Sequence, residues 1–139
     1  MRYKFLSHTG DAEFQAYGKT LEEAFQNAAA ALVSLMWEPD LIENKDEKTV
    51  KISGRDREQL LVAFLEEVIF LWESQRFMLS GCRRLSIKKS DGGYRLKAVL
   101  SGDTRPERYE VSGGVKAVTY HDMEIKQNNR WTVQVVVDI

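Results

Sequence analysis

The chain has little cysteine and little proline: one cysteine, Cys82, and two prolines in 139 residues. A single cysteine excludes an internal disulfide and a zinc site built from several cysteines, and it suits a reducing compartment. We therefore interpret Cys82 as a packing residue. No long apolar run follows the first six residues, Met-Arg-Tyr-Lys-Phe-Leu. We expect neither a signal peptide nor a membrane span, and we expect a cytoplasmic location.

An excess of charge of either sign is also missing. The 20 basic and 21 acidic residues give a formal net charge of -1. This balance excludes the global positive field that marks many nucleic-acid-binding proteins, although it leaves room for a local basic face. The length and the 43% hydrophobic content are typical of one folded domain, here residues 1–139.

Two amphipathic helices are the clearest local prediction. Thr20 is followed three residues later by Glu23, and Asp56 by Gln59, which are capping-box spacings at a helix start. Apolar residues then recur at intervals of three and four, and Pro39 stops any continuation of the first helix. The two predicted buried stripes are Leu21, Ala24, Phe25, Ala28, Ala29, Leu32, Leu35 and Met36, and Leu61, Phe64, Leu65, Val68, Leu71 and Trp72.

The remaining segments alternate with a period of two and predict antiparallel hairpins. The predicted pairs are residues 3–7 with 13–17, 85–89 with 94–100, and 115–125 with 131–137, and a short strand at 50–52 links the helices. We expect turns at 8–11, 90–93 and 127–130, a solvated connection at 43–48 and a long loop at 102–114. The predicted fold class is α+β, with a mainly antiparallel β-sheet covered by two amphipathic α-helices in a single domain.

The last strand ends in an acidic residue, Asp138, followed by Ile139. In an ordered strand, the Asp138 side chain and the α-carboxylate of Ile139 lie within one residue of each other, and both are ionised at neutral pH. Raised pKa values, a Lys or Arg, or a hard divalent cation would each relieve their repulsion. A frayed, solvated terminus is the alternative. Lys116, in the preceding strand, falls on the face of Asp138 or on the opposite face, depending on the register.

Other residues that could form a catalytic, metal-binding or RNA-stacking site have simpler explanations. Ser7, His8 and Asp11 offer a nucleophile, a base and an acid, but such clusters in turns usually form caps and local hydrogen bonds. His121 has no second histidine nearby and gives little support for zinc, so we interpret it as structural. The three tryptophans fall at a helix end, in a helix stripe and at a strand start, and packing is preferred over stacking on RNA. They are Trp37, Trp72 and Trp131.

Four separated motifs together resemble the archease family, and the resemblance covers essentially the whole chain. The motifs are Ser7-His8-Thr9-Gly10-Asp11, Tyr17-Gly18-Lys19-Thr20-Leu21-Glu22-Glu23-Ala24-Phe25, Lys116-Ala117-Val118-Thr119-Tyr120-His121 and Asp138-Ile139. Archeases usually have His-Thr-Ala-Asp where this chain has His8-Thr9-Gly10-Asp11. The glycine leaves the aspartate in place and should mainly loosen the turn.

Archeases are accessory proteins of the RtcB-type RNA-splicing ligase, which joins RNA ends with GTP and manganese through a guanylylated histidine of the ligase. The resemblance implies that this chain is not an enzyme itself. It implies that the chain promotes ligase guanylylation and multiple turnover in tRNA splicing. GTP is then expected to bind the partner ligase, and RNA is reached through that ligase. No membrane partner is expected, and a monomer and a homo-oligomer both stay open.

The resemblance also implies a divalent-metal site formed by Asp11, Asp138 and Ile139. Calcium is the favoured ion, with manganese and magnesium as alternatives, and Lys116 belongs to the same cluster as a residue that assists the partner's chemistry. This metal site agrees with the charge argument at the end of the last strand, which calls for a cation near the clustered carboxylates.

Two rival functions remain at this point. One is a chaperone-like or adaptor module that modulates an RNA-modifying enzyme. The other is an autonomous metal-dependent phosphoryl hydrolase, for which the carboxylates would be catalytic. The sequence supplies no clear nucleophile-activating set for hydrolysis, so we rank the hydrolase last. It also has no phosphate-cradling glycine-rich loop before a helix, since Gly113 and Gly114 precede a strand, and GTP is therefore expected to belong to the partner.

Overall fold

The computed structural model describes residues 1–7 and 10–139, which form two α-helices and seven β-strands. The helices are α1 (Leu21–Val33) and α2 (Arg57–Gln75). The strands are β1 (Tyr3–Leu6), β2 (Asp11–Gly18), β3 (Asp46–Gly54), β4 (Met78–Ser90), β5 (Gly93–Asp103), β6 (Ala117–Gln127) and β7 (Trp131–Asp138). In the described part of the chain, no helix has the combination of length and apolar character needed to cross a membrane.

The strands divide into two antiparallel sheets, one of four strands in the order β1-β2-β7-β6 and one of three in the order β3-β5-β4. Both helices contact strands of both sheets. One continuous core therefore includes residues from every layer, such as Phe14, Phe25, Phe64, Leu100 and Val135. The predicted α+β class and the three predicted hairpins are confirmed, and the predicted turn residues His8 and Thr9 lie outside the described residues.

Both helices begin where the capping residues predict. The Thr20 hydroxyl accepts a hydrogen bond from the Glu23 N–H at 3.1 Å, and the Asp56 carboxylate accepts one from the Gln59 N–H at 2.7 Å. In each case the Glu or Gln side chain accepts in return from the residue just before the cap. These bonds satisfy N–H groups that have no partner within the helix.

Helix α1 ends at Val33, so Leu35 and Met36 do not continue its stripe as predicted. The Met36 N–H donates to the Val33 carbonyl at 2.9 Å, a tighter turn than that of an α-helix, and the chain then changes direction. Met36 and Trp37 are nevertheless buried. The Trp37 indole donates to the Leu79 carbonyl at 3.0 Å and meets the Trp72 ring edge-on at 5.1 Å. Packing roles for these tryptophans are confirmed.

The strands of the second sheet are longer than predicted. β3 begins at Asp46, so the expectation of a solvated connection at 43–48 is wrong for its last three residues. β4 begins at Met78 and contains two register shifts that interrupt the expected alternation. β3 lies at an edge of its sheet, with one face towards solvent, and such strands commonly carry charged side chains.

The long connection between β5 and β6 is attached to the core at Tyr109. The Tyr109 hydroxyl donates to the buried Asp103 carboxylate at 2.8 Å and accepts from the Glu43 N–H at 3.1 Å. The Glu43 N–H lowers the pKa of Tyr109, but desolvation and the Asp103 carboxylate outweigh it and raise that pKa above its ordinary value. The phenol therefore keeps its proton at neutral pH and remains a donor to Asp103.

Cys82 packs against the core, as predicted. Burial raises the pKa of the Cys82 thiol to about 12, so almost none of it is thiolate at neutral pH. A thiol without thiolate character is a poor nucleophile and a poor metal ligand. Its role is structural.

Candidate metal-binding site at the end of the four-stranded sheet

The register of β2 and β7 places Asp11 directly opposite Asp138. Asp11 is the first residue of β2, not the last residue of a turn as predicted. Residues directly opposite each other in an antiparallel pair share a face, and their Cβ atoms lie about 5 Å apart. Two carboxylates from distant parts of the sequence therefore point to the same side of the sheet.

Lys116 and Ala117 lie next to Asp138 on its other side. The Lys116 N–H donates to the Asp138 carbonyl at 2.8 Å, and Ala117 is the registered partner of Asp138 in β6. The alternation of the sheet gives Ala117, rather than Lys116, the face of Asp138. The Lys116 side chain is exposed and forms no ion pair with a carboxylate of the described residues. Its ammonium extends into solvent at the end of the sheet.

Side-chain hydrogen bonds hold the strands in register on the face of the sheet that carries Asp11 and Asp138. The Tyr17 hydroxyl donates to the Gln15 amide oxygen at 3.0 Å, and the Gln15 amide donates to Gln134 at 2.9 Å. The Gln134 amide then donates to the Asp122 carbonyl at 2.9 Å. This chain of bonds crosses β2, β7 and β6, and thereby fixes the three strands on which the candidate site depends.

The last of these bonds attaches β7 to an irregular segment of β6 between Thr119 and Glu124. Asp122 has a left-handed backbone there, with φ of 52°. His121 is exposed within the segment, and its Nε2 lies 3.3 Å from the Asp122 carboxylate. Such bulges redirect side chains at the rims of sheets. This segment could not be recognised in the sequence, because no glycine marks it and aspartate tolerates a left-handed backbone.

The donor chemistry of this end of the sheet fits a hard divalent cation. Asp11 and Asp138 are half-buried, and Ile139 follows directly with half of its surface exposed. Carboxylate oxygens bind calcium at about 2.3–2.6 Å, and an ion between two facing aspartates can reach both. Within residues 1–7 and 10–139, no three His, Cys, Asp or Glu side chains gather for a metal. A site here would therefore need a donor outside that set, such as the α-carboxylate of Ile139.

Comparison with known proteins places the chain among relatives of similar length. It matches the Archease protein family (MTH1598/TM1083) over residues 3–139. The protein archease of Pyrobaculum neutrophilum is 43% identical and is matched over 99% of this chain and 95% of its own length. That of Methanosarcina mazei is 36% identical, over 99% of this chain and 96% of its own length.

A solved structure shows the same fold. The solution structure of protein 1598 of Methanobacterium thermoautotrophicum is 34% identical and superimposes with a TM-score of 0.84 over 99% of each chain. A match of this kind over nearly every residue identifies the family as well as the fold. The chain belongs to the archease family.

Proposed function

We propose that this chain is an accessory protein that activates an RtcB-type RNA ligase, promoting ligase guanylylation and multiple turnover in tRNA splicing. In this proposal Asp11, Asp138 and the α-carboxylate of Ile139 hold a divalent cation, with calcium favoured over manganese and magnesium. The observation that carries the proposal is the direct pairing of Asp11 with Asp138 across β2 and β7. Family membership supports the accessory role.

The chemistry of the partner explains why a cation and a lysine would be needed. Guanylylation joins the α-phosphorus of GTP to the ligase histidine and releases pyrophosphate, and negative charge accumulates on the phosphate oxygens during this transfer. A bound divalent cation would supply positive charge near those oxygens. Lys116 extends from the same end of the sheet, and its ammonium would bind a phosphate oxygen as a point charge. The nucleotide belongs to the ligase in this arrangement.

Asp11 and Asp138 both belong to strands, and side-chain hydrogen bonds cross the face beside them. Sites built on strands hold their geometry more closely than sites on loops. The aspartates would thus present a preformed cation to the ligase, with the exposed side chain of Lys116 beside it. Such preorganised charge contributes more to catalysis than charge that must reorganise during the reaction.

RNA joining by the cognate ligase tests the proposal. The assay uses substoichiometric ligase with GTP and manganese, and compares no addition, the native chain, Asp138→Ala and the matched control Asp91→Ala. We expect the native chain and the control to raise the number of turnovers per ligase at least about tenfold, and Asp138→Ala to lose this stimulation, because one ligand to the cation is removed.

The other outcomes separate the rival functions. Absence of stimulation by the native chain would contradict activation and favour the chaperone-like or adaptor module. Nucleotide hydrolysis by the chain alone, lost in Asp138→Ala, would favour the phosphoryl hydrolase. Equal stimulation by the native chain and by Asp138→Ala would show that activation does not require the acidic site.

Extension of the chain beyond Ile139 should weaken metal binding. One added glycine converts the α-carboxylate of Ile139 into an amide, which removes a negative charge and replaces a carboxylate with a weaker oxygen donor. We expect the Kd for calcium, measured by isothermal titration calorimetry, to rise about tenfold or more. The control is an equal extension at the N-terminus. Unchanged affinity in the C-terminally extended chain would remove Ile139 from the site.

A further inference from the structure

The outer face of the three-stranded sheet carries five exposed basic side chains, which we call the basic face. They are Lys51 on β3, Arg84 and Lys88 on β4, and Arg95 and Lys97 on β5. The inner face of the same strands is apolar, since Val50, Leu96 and Ala98 alternate with these residues and are buried. The balanced total charge of the chain therefore conceals a local concentration of positive charge.

The basic residues face one another without intervening acids. Lys51 is the registered partner of Lys97 across β3 and β5, and Lys88 is the partner of Arg95 across β4 and β5. Like charges directly opposite each other destabilise a sheet. None of the five forms an ion pair with a described residue. An ordinary solvated face mixes charges of both signs, as Arg83 and Glu47 do at 2.9 Å near the other end of these strands.

The strands also form a shallow groove of about 530 Å³ on this side. Four of the five basic residues line it, together with Lys89 and the hydroxyl-bearing Ser53, Ser86 and Ser90. No Asp or Glu belongs to its lining. Cations on alternate residues of a strand stand about 7 Å apart, and those on neighbouring strands about 5 Å apart. The groove thus offers a regular array of positive charge and hydroxyl donors.

This composition suits a polyanion better than a protein surface. Protein interfaces have an apolar core, commonly with aromatic residues, inside a polar rim. The outward positions around the groove hold Lys, Arg, Ser and Thr beside the buried Val99, and the one acid on this face of β3, Glu47, lies at its far end, paired with Arg83. No aromatic side chain is available on the face for base stacking. The matching ligand is a chain of phosphates that is contacted without reading its bases.

We propose that the basic face binds the phosphate backbone of nucleic acid directly. Binding would be insensitive to sequence and to the sugar, because the contacts are ionic and no group on the face is placed to recognise a base. The proposal concerns the chain alone and does not depend on activation of a ligase, so either can fail without the other.

Fluorescence anisotropy with a labelled 20-nucleotide oligouridylate tests this proposal, with oligothymidylate as a second probe. Five contacts to a single strand predict that log K falls with log[salt] with a slope of about -3.5. The test variant is Lys51→Gln/Arg95→Gln/Lys97→Gln, and the matched control is Lys4→Gln/Lys19→Gln/Lys126→Gln, whose lysines are exposed elsewhere. We expect the test variant to bind at least about tenfold more weakly at 50 mM salt, with a slope near about -1.4.

Several results would overturn the proposal. Equal binding by the two variants would show that the basic face is not the site, and a slope near zero would exclude phosphate contacts. If polyglutamate bound with the same affinity and the same salt slope as the oligonucleotide, the ligand would be identified as an acidic protein and not as nucleic acid. The Tm of the test variant at low salt serves as the folding control. It should equal or exceed the native value, because two like-charge pairs have been removed.

Discussion

Replacing Asp138 with Asn is expected to raise the Kd for calcium by about 100-fold or more, with little effect on the fold. The substitution keeps the size of the side chain and removes its charge. Asp138 is half-buried at the end of β7, and its backbone bond from Lys116 does not involve the side chain. Only the affinity for a hard cation should change, since an amide oxygen is a weaker ligand than a carboxylate.

Isothermal titration calorimetry measures this affinity, with Asp91→Asn as the control. Asp91 is an exposed aspartate in the turn between β4 and β5, on the other sheet, where Asn is equally suited to a turn. An unchanged Kd in Asp138→Asn, or an equal loss in the control, would contradict the site. Because Asp11 and Asp138 would share one ion, their effects should be non-additive in the double variant.

Gly102→Ala is expected to lower the free energy of unfolding by about 3 kcal/mol or more. Gly102 lies in β5, where it is paired with Leu79 on one side and with Asp46 on the other. A Cβ atom at this position would overlap the Met78 carbonyl oxygen, and the Phe77 ring lies 3.1 Å away. The clash is with backbone, so β4 must move away and the sheet must lose contact with the core.

Gly81→Ala is the matched control, since Gly81 lies in the neighbouring strand and has nothing within 4 Å of its Cβ position. It should change the free energy of unfolding by no more than about 1 kcal/mol. Urea denaturation followed by circular dichroism compares the two variants. Equal stability of both would show that β4 and β5 are not as close at Gly102 as the structure has them.

The parts of the fold that depend on neighbouring residues could be predicted from the sequence. Thr20 with Glu23 and Asp56 with Gln59 identify the helix starts because each cap bonds only three residues away. The hairpin turns are equally local. The separation of the strands into two sheets was not predictable, because it depends on the pairing of β2 with β7 and of β3 with β5, which are far apart in sequence.

The charged start of β3 illustrates the limit of pattern reading. Asp46 and Glu47 belong to a strand because they pair with Gly102 and Ser101 at the edge of a sheet. Their own polarity favours a loop. In the same way, Leu35 and Met36 continue the apolar spacing of α1 although the helix has already ended at Val33.

The candidate site, like the fold, could be predicted from the sequence only in part. The acidic end of the last strand is visible in the sequence, and the resemblance to archeases supplied Asp11 as its partner. The structure adds the register that sets Asp11 opposite Asp138, and it places Ala117 rather than Lys116 on their face. The sequence alone does not determine that register. A shift by one residue would move every side chain of the strand to the opposite face of the sheet.

The charge balance was informative only about the whole chain. A net charge of -1 excluded a global basic field, yet β3, β4 and β5 collect Lys51, Lys88, Arg95 and Lys97 on one face. Lys51, Arg95 and Lys97 alternate with apolar or aromatic residues in the sequence, a pattern typical of an ordinary half-exposed strand. Only the pairing of the three strands reveals that like charges face each other.

Transfer of GMP to the ligase measures the central claim most directly. The ligase is mixed with radiolabelled GTP in a single turnover, with no addition, with the native chain, with Asp138→Asn or with Asp91→Asn. We predict that the native chain and Asp91→Asn accelerate formation of the labelled ligase, and that Asp138→Asn does not. Acceleration by Asp138→Asn equal to that of the native chain would contradict the claim that the acidic end of the four-stranded sheet activates the partner.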